Sequence, residues 1–227
     1  MNTALSIQRI LVPLDFSEAS LNALETAIAI ANRHNASIVL LHVIDNTPYF
    51  IASDGVIFPA YRTLDELTES VLKQMDCVMR ARAGAEGISF STRTEVGYVA
   101  STVARVATEE RAEIIVMGTH GASGLRELFI GSNAYSVIKL AHVPVLTVPP
   151  GRRWEHFKKI LFPIRPVVGC LDKYDFVRKI IRKNNAEMCV LGLAHSEGDE
   201  VSTVTDAVDY LKSTLETVWK VIFSPIS

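Results

Sequence analysis

At 227 residues, with 48% hydrophobic and 21% charged residues, the chain can bury a sizeable core and is neither disordered nor fibrous. A formal net charge of −2, mildly acidic before Gly151 and mildly basic after it, excludes the strongly basic face that nucleic-acid binding needs. No apolar run reaches the roughly 18 residues of a membrane span, and the opening MNTALSIQRI lacks a basic-then-apolar signal, so a cytoplasmic chain without membrane contact is expected.

Apolar and amphipathic segments alternate from Arg9 to Pro149 as β-α-β-α-β-α-β-α-β, which predicts an α/β fold with a doubly wound, five-stranded parallel sheet in the order 3-2-1-4-5. RILVPL at residues 9–14 reads as a buried strand. Ser17 then stands at the N-cap position of a helix whose Leu21, Leu24, Ile28 and Ala31 share one face. SIVLLHVI is the second strand, a Pro/Gly-bearing loop follows, and Leu64, Leu67, Val71, Met75 and Val78 mark a second helix. ISFSTRTEV, a helix through VARVATEE, the strand EIIVMG, a helix from about Ser132 and the strand PVLTVP complete the set.

Part of the pattern then recurs. KILFPI at residue 159 repeats RILVPL at residue 9, and Asn185-Ala186 repeats Asn35-Ala36 at the same offset of 150. This predicts two domains, 1–150 and 151–227, the second a partial copy (β-α-β-α-β) with no glycine loop. Its helix is expected over STVTDAVDYLKSTLETVWK and its third strand over VIFS, with Phe223-Ser224 matching Phe90-Ser91. A sheet of strands 3-2-1 would leave the edge KILFPI needing cover from this chain or another, unless the sequence is a piece of a longer tandem protein.

After the fourth strand the chain reads GTHGASGLRELFIGS, which is glycine, two residues, glycine, nine residues, then Gly131-Ser132. Gly118 and Gly121 are expected to take positive φ and bring N–H groups close to an anion, and Gly131 and Ser132 to open the fourth helix, whose first N–H groups attract phosphate. The loop lacks the Gly-Lys-Ser/Thr of a P-loop and follows the fourth strand rather than the first, unlike a Rossmann fingerprint. Asp15 ends the first strand at the adjoining crevice, where it either accepts hydrogen bonds from a ribose or caps the helix. Val43, on the far side of that strand, either offers its backbone to an adenine edge or is core.

The segments LVPLDFSEAS, LLHVID, MGTHGASGLRELFIGS and PVLTVP together resemble the universal stress protein family, in its nucleotide-binding branch, over the whole of residues 9–149. The resemblance implies a bound ATP, or AMP or ADP, with Mg²⁺ carried on the phosphates. Asp15 would hold the ribose, Pro13 and Val43 would flank adenine, Leu14 and Met117 would complete the strand ends, and Gly118, His120, Gly121, Gly131, Ser132 and Asn133 would surround the phosphates. It also implies a homodimer through the fifth strand, from Val145 to Val148. Ala122 departs from the family, where a basic residue often follows the second glycine. The second copy has Arg165 in place of Asp15 and should not bind nucleotide in the same way.

No catalytic residue and no protein metal site is expected. The six histidines have no ligand spacing, Cys77, Cys170 and Cys189 form no C-x-x-C pair and read as reduced thiols, and no G-x-S-x-G elbow is present. Binding is therefore better supported than turnover. The expectation is a stress-response or signalling protein switched by its nucleotide, the alternatives being a slow Mg-dependent ATPase or a nucleotide-free interaction module.

Overall fold

The computed structural model describes residues 6–45, 50–53, 56–59, 64–83, 87–119, 130–164, 169, 171–194, 206, 209 and 219–225. The chain divides into two compact units, Ile7–Glu155 and a smaller one built on His156–Ser227.

In the larger unit, β1 (Arg9–Pro13), α1 (Glu18–His34), β2 (Ser37–Ile44), β3 (Phe50–Ser53), β4 (Val56–Pro59), α2 (Leu64–Ala83), β5 (Phe90–Val96), α3 (Val99–Glu109), β6 (Ile114–Gly118), α4 (Ser132–Leu140) and β7 (Val145–Val148) follow one another. The sheet runs β5-β2-β1-β6-β7 with every pair parallel, the expected doubly wound order. Strand alternation sends Leu11, Val39, Leu41, Ile115 and Met117 to one face, where they pack with Val103 and Val106 of α3 and Val137 of α4. Leu24 and Ile30 of α1 are fully buried. Burying each such side chain contributes about 1.5–3 kcal/mol.

One difference from the sequence expectation lies between β2 and α2. β3 and β4 form an antiparallel hairpin, with Phe50 opposite Pro59 and Ser53 opposite Val56, where only a loop was expected. Asp54-Gly55 between two apolar runs is the dipeptide such hairpins favour, a signal masked by the surrounding prolines.

The smaller unit contains β8 (Lys159–Ile164), α5 (Tyr174–Asn184), β9 (Glu187–Ala194) and β10 (Trp219–Pro225), with a parallel sheet ordered β10-β9-β8. Its core is Phe162, Ile164, Tyr174, Ile181, Met188 and Val190. Arg9 pairs with Ser37, and Lys159 with Glu187, each member 150 positions on. Both helices that follow these first strands end on an asparagine in the left-handed region, Asn35 at φ 56 and Asn185 at φ 49. A short polar side chain tolerates that conformation.

The register corrects two details of the expected second copy. Ile38 pairs with Phe90, while Met188, its counterpart 150 residues on, pairs with Trp219, so Trp219 and not Phe223 corresponds to Phe90. Trp219 and Lys220 also belong to the strand rather than to the helix expected to run through them. Of that helix only Asp206 and Asp209 are described, both helical. Arg165 and Cys170 lie outside the described residues, Cys77 is exposed, and Cys189 is half-buried. Among the described residues no helix is long and apolar enough to cross a membrane. Leu161, on the outer strand β8, is 58% exposed, in keeping with an edge that needs cover.

Candidate functional site

The carboxyl ends of β1, β2 and β6 converge where the sheet changes direction, the place at which open α/β sheets bind ligands. β1 stops at Pro13, and the Leu14 N–H still donates to the Leu41 carbonyl at 2.8 Å. β2 continues three residues further, to Ile44. Because Leu41 presents its backbone toward β1, alternation makes Val43 present its N–H and C=O the same way, past the last ladder residue of β1. An edge that carries one donor and one acceptor would fit there. The Val43 side chain itself is half-buried against the core under α3.

The turn from β1 into α1 is tightly determined. Ser17 is the N-cap (φ −67, ψ 159), and its side chain accepts from the Ser20 N–H at 3.3 Å, as its position before the apolar stripe predicts. Asp15 is exposed, and its Oδ1 accepts from the Ser17 N–H at 3.0 Å and from the Ser17 hydroxyl at 2.5 Å. The carboxylate thus supports the helix start. An ionised carboxylate has about four lone-pair sites and can serve several donors at once.

Across the crevice, Gly118 ends β6, and its glycine has a reason other than the one the loop pattern suggested. It does not adopt positive φ. A Cβ there would lie 2.8 Å from the Ala19 carbonyl carbon and 2.9 Å from its Cβ, so the missing side chain lets β6 pass the first turn of α1. Thr119 is buried and donates its N–H to the Val148 carbonyl at 3.0 Å, and the Gly131 N–H donates to the Thr119 carbonyl at 2.7 Å. Gly131, at φ −58 and ψ 153, is the N-cap of α4 and has no side chain to cap it. The Tyr135 N–H closes the first helical bond onto the Gly131 carbonyl, leaving the N–H groups of Ser132, Asn133 and Ala134 without an intrahelical acceptor. Ser132 and Asn133 are exposed.

Of the residues singled out in the sequence, Pro13, Leu14, Asp15, Val43, Met117, Gly118, Gly131, Ser132 and Asn133 lie at the ends of these crevice elements. Leu14 and Met117 bury their side chains, at 3% and 6% exposure, and offer only backbone. His120, Gly121, Ala122 and Arg126 lie outside the described residues. Sequence reasoning missed Phe16 and His42, whose rings stack at 5.2 Å beside Asp15. A polar hollow lined by Gln8, Asn32, Asn35, Ser37 and Ser89 lies at the opposite, amino ends of the strands. Among the described residues it offers no charged side chain and no helix N-terminus.

The fold is a doubly wound α/β domain with a crevice at the strand carboxyl ends. The family model for the universal stress protein family matches residues 6–149, and the chain belongs to that family of stress-response proteins. Universal stress protein MJ0531 of Methanocaldococcus jannaschii is 33% identical over 144 residues, covering 62% of this chain and 81% of that protein. The solved structure of protein MJ0577 from the same organism matches 64% of this chain and 98% of its own, at 28% identity and a TM-score of 0.53. A universal stress protein from Archaeoglobus fulgidus shares the fold over 100% of this chain and 80% of its own, with a TM-score of 0.76 at 19% identity.

Proposed function

We propose that the larger unit binds an adenine nucleotide, most favourably ATP, and acts in the stress response by holding it rather than by consuming it. The observation that carries this reading is one crevice with three kinds of complementarity. The first turn of α4 offers N–H groups without intrahelical acceptors, beside the Ser132 hydroxyl and at the positive end of the helix dipole, which suits phosphate oxygens. Asp15 suits ribose hydroxyls, and the Val43 backbone pair matches the donor and acceptor of an adenine edge. Pro13 would flank the base, and His120 and Gly121 belong to the same loop in sequence.

Any Mg²⁺ would enter on the phosphates of the nucleotide. In the bound state, the nucleotide would bridge the α1 and α4 termini and bias the surfaces around them toward one partner. The smaller unit, with Arg165 in the position of Asp15, would not bind nucleotide in the same way.

Calorimetry with ATP and with inorganic tripolyphosphate tests the reading. Asp15→Ala should weaken ATP and leave tripolyphosphate nearly unchanged, since the carboxylate faces the sugar and the α4 terminus faces the phosphates. Loss of both ligands in equal measure, or no ATP binding by the unaltered chain at millimolar concentration, would overturn it.

A further inference from the structure

The two residues that flank Asp15 are held by one imidazole. His42 Nδ1 lies 2.7 Å from the Leu14 carbonyl oxygen. A carbonyl can only accept, so Nδ1 carries the proton and donates. The same ring stacks on Phe16, with centroids 5.2 Å apart and planes inclined by 29°. Phe16 has φ 63, a left-handed conformation that costs free energy in a bulky residue and persists only where surroundings over-determine it. The sequence explains why one side chain can serve both neighbours. β2 outruns β1, so His42 lies one residue beyond Leu41, the last partner of β1, level with the turn where the chain leaves the sheet.

We infer that His42 is a positioning residue of the crevice, fixing the backbone before Asp15 by a hydrogen bond and after it by a ring stack. This inference rests on the reading of the crevice as a nucleotide site. Asp15 is exposed and accepts from Ser17, and the backbone on either side of it sets the point from which its carboxylate projects. If Leu14 is released and Phe16 relaxes out of the left-handed region, the Asp15 carboxylate turns away from the sugar. The phosphate side, built on α4 and tied to Thr119, is independent of His42. His42 is therefore a determinant of nucleoside affinity rather than of phosphate affinity.

The test uses the full chain and compares ATP with inorganic tripolyphosphate. His42→Ala should raise the Kd for ATP about tenfold, the order seen when a supporting residue of a ligand is removed, and leave tripolyphosphate within about twofold. His42→Asn, whose amide can occupy the Nδ1 position and still donate, should recover part of the loss. Phe16→Gly accepts φ 63 without strain, so adding it to His42→Ala should cost less than the sum of the two single changes. An unchanged ratio of ATP to tripolyphosphate affinity in His42→Ala would overturn the positioning role while leaving the nucleotide reading intact. An equal loss of both ligands would reduce His42 to a structural residue. Absence of ATP binding by the unaltered chain would overturn both.

Discussion

The Gly131 N–H meets the Thr119 carbonyl at 2.7 Å, so the chain leaves β6 and enters α4 at nearly one point. Thr119 is in turn fixed to Val148 of β7, which makes this pair the clasp of the intervening glycine-rich segment. Gly131 has φ −58, a value proline adopts, but Gly131→Pro deletes this donor and drives its ring Cδ against the Thr119 carbonyl, so the clasp must open. The cost should exceed the roughly 0.5–1.5 kcal/mol of the hydrogen bond alone, because the ring and the carbonyl cannot share the same space. Trypsin should then cleave after Arg126 faster than in the unaltered chain, and equal cleavage rates would show that the clasp does not restrain the segment.

Gly118 makes a different kind of demand. Its absent Cβ would meet backbone atoms of Ala19 and the Ser20 nitrogen at 2.8–3.0 Å, and backbone cannot swing aside as a long side chain can. Gly118→Ala should therefore destabilise the larger unit by about 1–3 kcal/mol, lowering the melting temperature by roughly 2–4 °C for each kcal/mol. A melting curve that does not move would mean that α1 shifts freely along β6.

The contrast between these two glycines shows how far the sequence could be read. The spacing of the glycines located the start of α4 at Ser132, and alternation of apolar runs was enough for the sheet order. What each glycine does was legible only in three dimensions, because Gly118 answers to Ala19, a residue 99 positions away in the chain. Phe16 and His42 were hidden for the same reason. Both lie within segments that carry the family resemblance, LVPLDFSEAS and LLHVID, but nothing in the sequence joins the two, and their contact exists only because β2 extends beyond β1. The hairpin of β3 and β4 was missed although its Asp-Gly pair was in view, since the neighbouring prolines read as a breaker of strands.

An ion-pair network joins β5 to α3. Arg93 contacts Glu95, Glu109 and Glu110 at 2.6, 2.5 and 3.2 Å, while Arg105 contacts Glu95 at 2.8 Å and Glu109 at 2.7 Å. Hydrogen bonds from Arg105 first, and Arg93 second, hold the carboxyls of Glu95 and Glu109 below the usual range. A carboxylate with a depressed folded pKa stabilises the fold above its unfolded value of 4.5, and that contribution is lost as pH falls through the lower folded value. Arg105→Met should thus melt below the unaltered chain at pH 7, and the gap should close as the pH falls well below 4.5. Because these groups face solvent, the gap at pH 7 should also shrink in high salt. A gap independent of pH would assign the effect to lost packing of the arginine stem instead.

The outer edge of β7 bears on self-association. The Pro144 and Val148 carbonyls accept from Ile115 and Thr119 of the β6 chain, so the intervening alternation turns the N–H and C=O groups of Val145 and Thr147 outward. Among the described residues β7 is the last strand of its sheet, and a strand in that place is a template for another. Beside it, α4 exposes Tyr135, Ile138 and Leu140, at 53%, 43% and 48%, which would extend a shared contact beyond the backbone ladder. We propose a homodimer that pairs β7 with its counterpart antiparallel. Thr147→Pro removes an outward donor without touching the bonds to β6, and should convert the dimer to monomer in light scattering at equal concentration. Thr147→Lys, which keeps the donor but places charge at the edge, should weaken the dimer and make it sensitive to salt. A particle that is monomeric before any substitution, or a dimer that survives Thr147→Pro, would remove β7 as the interface.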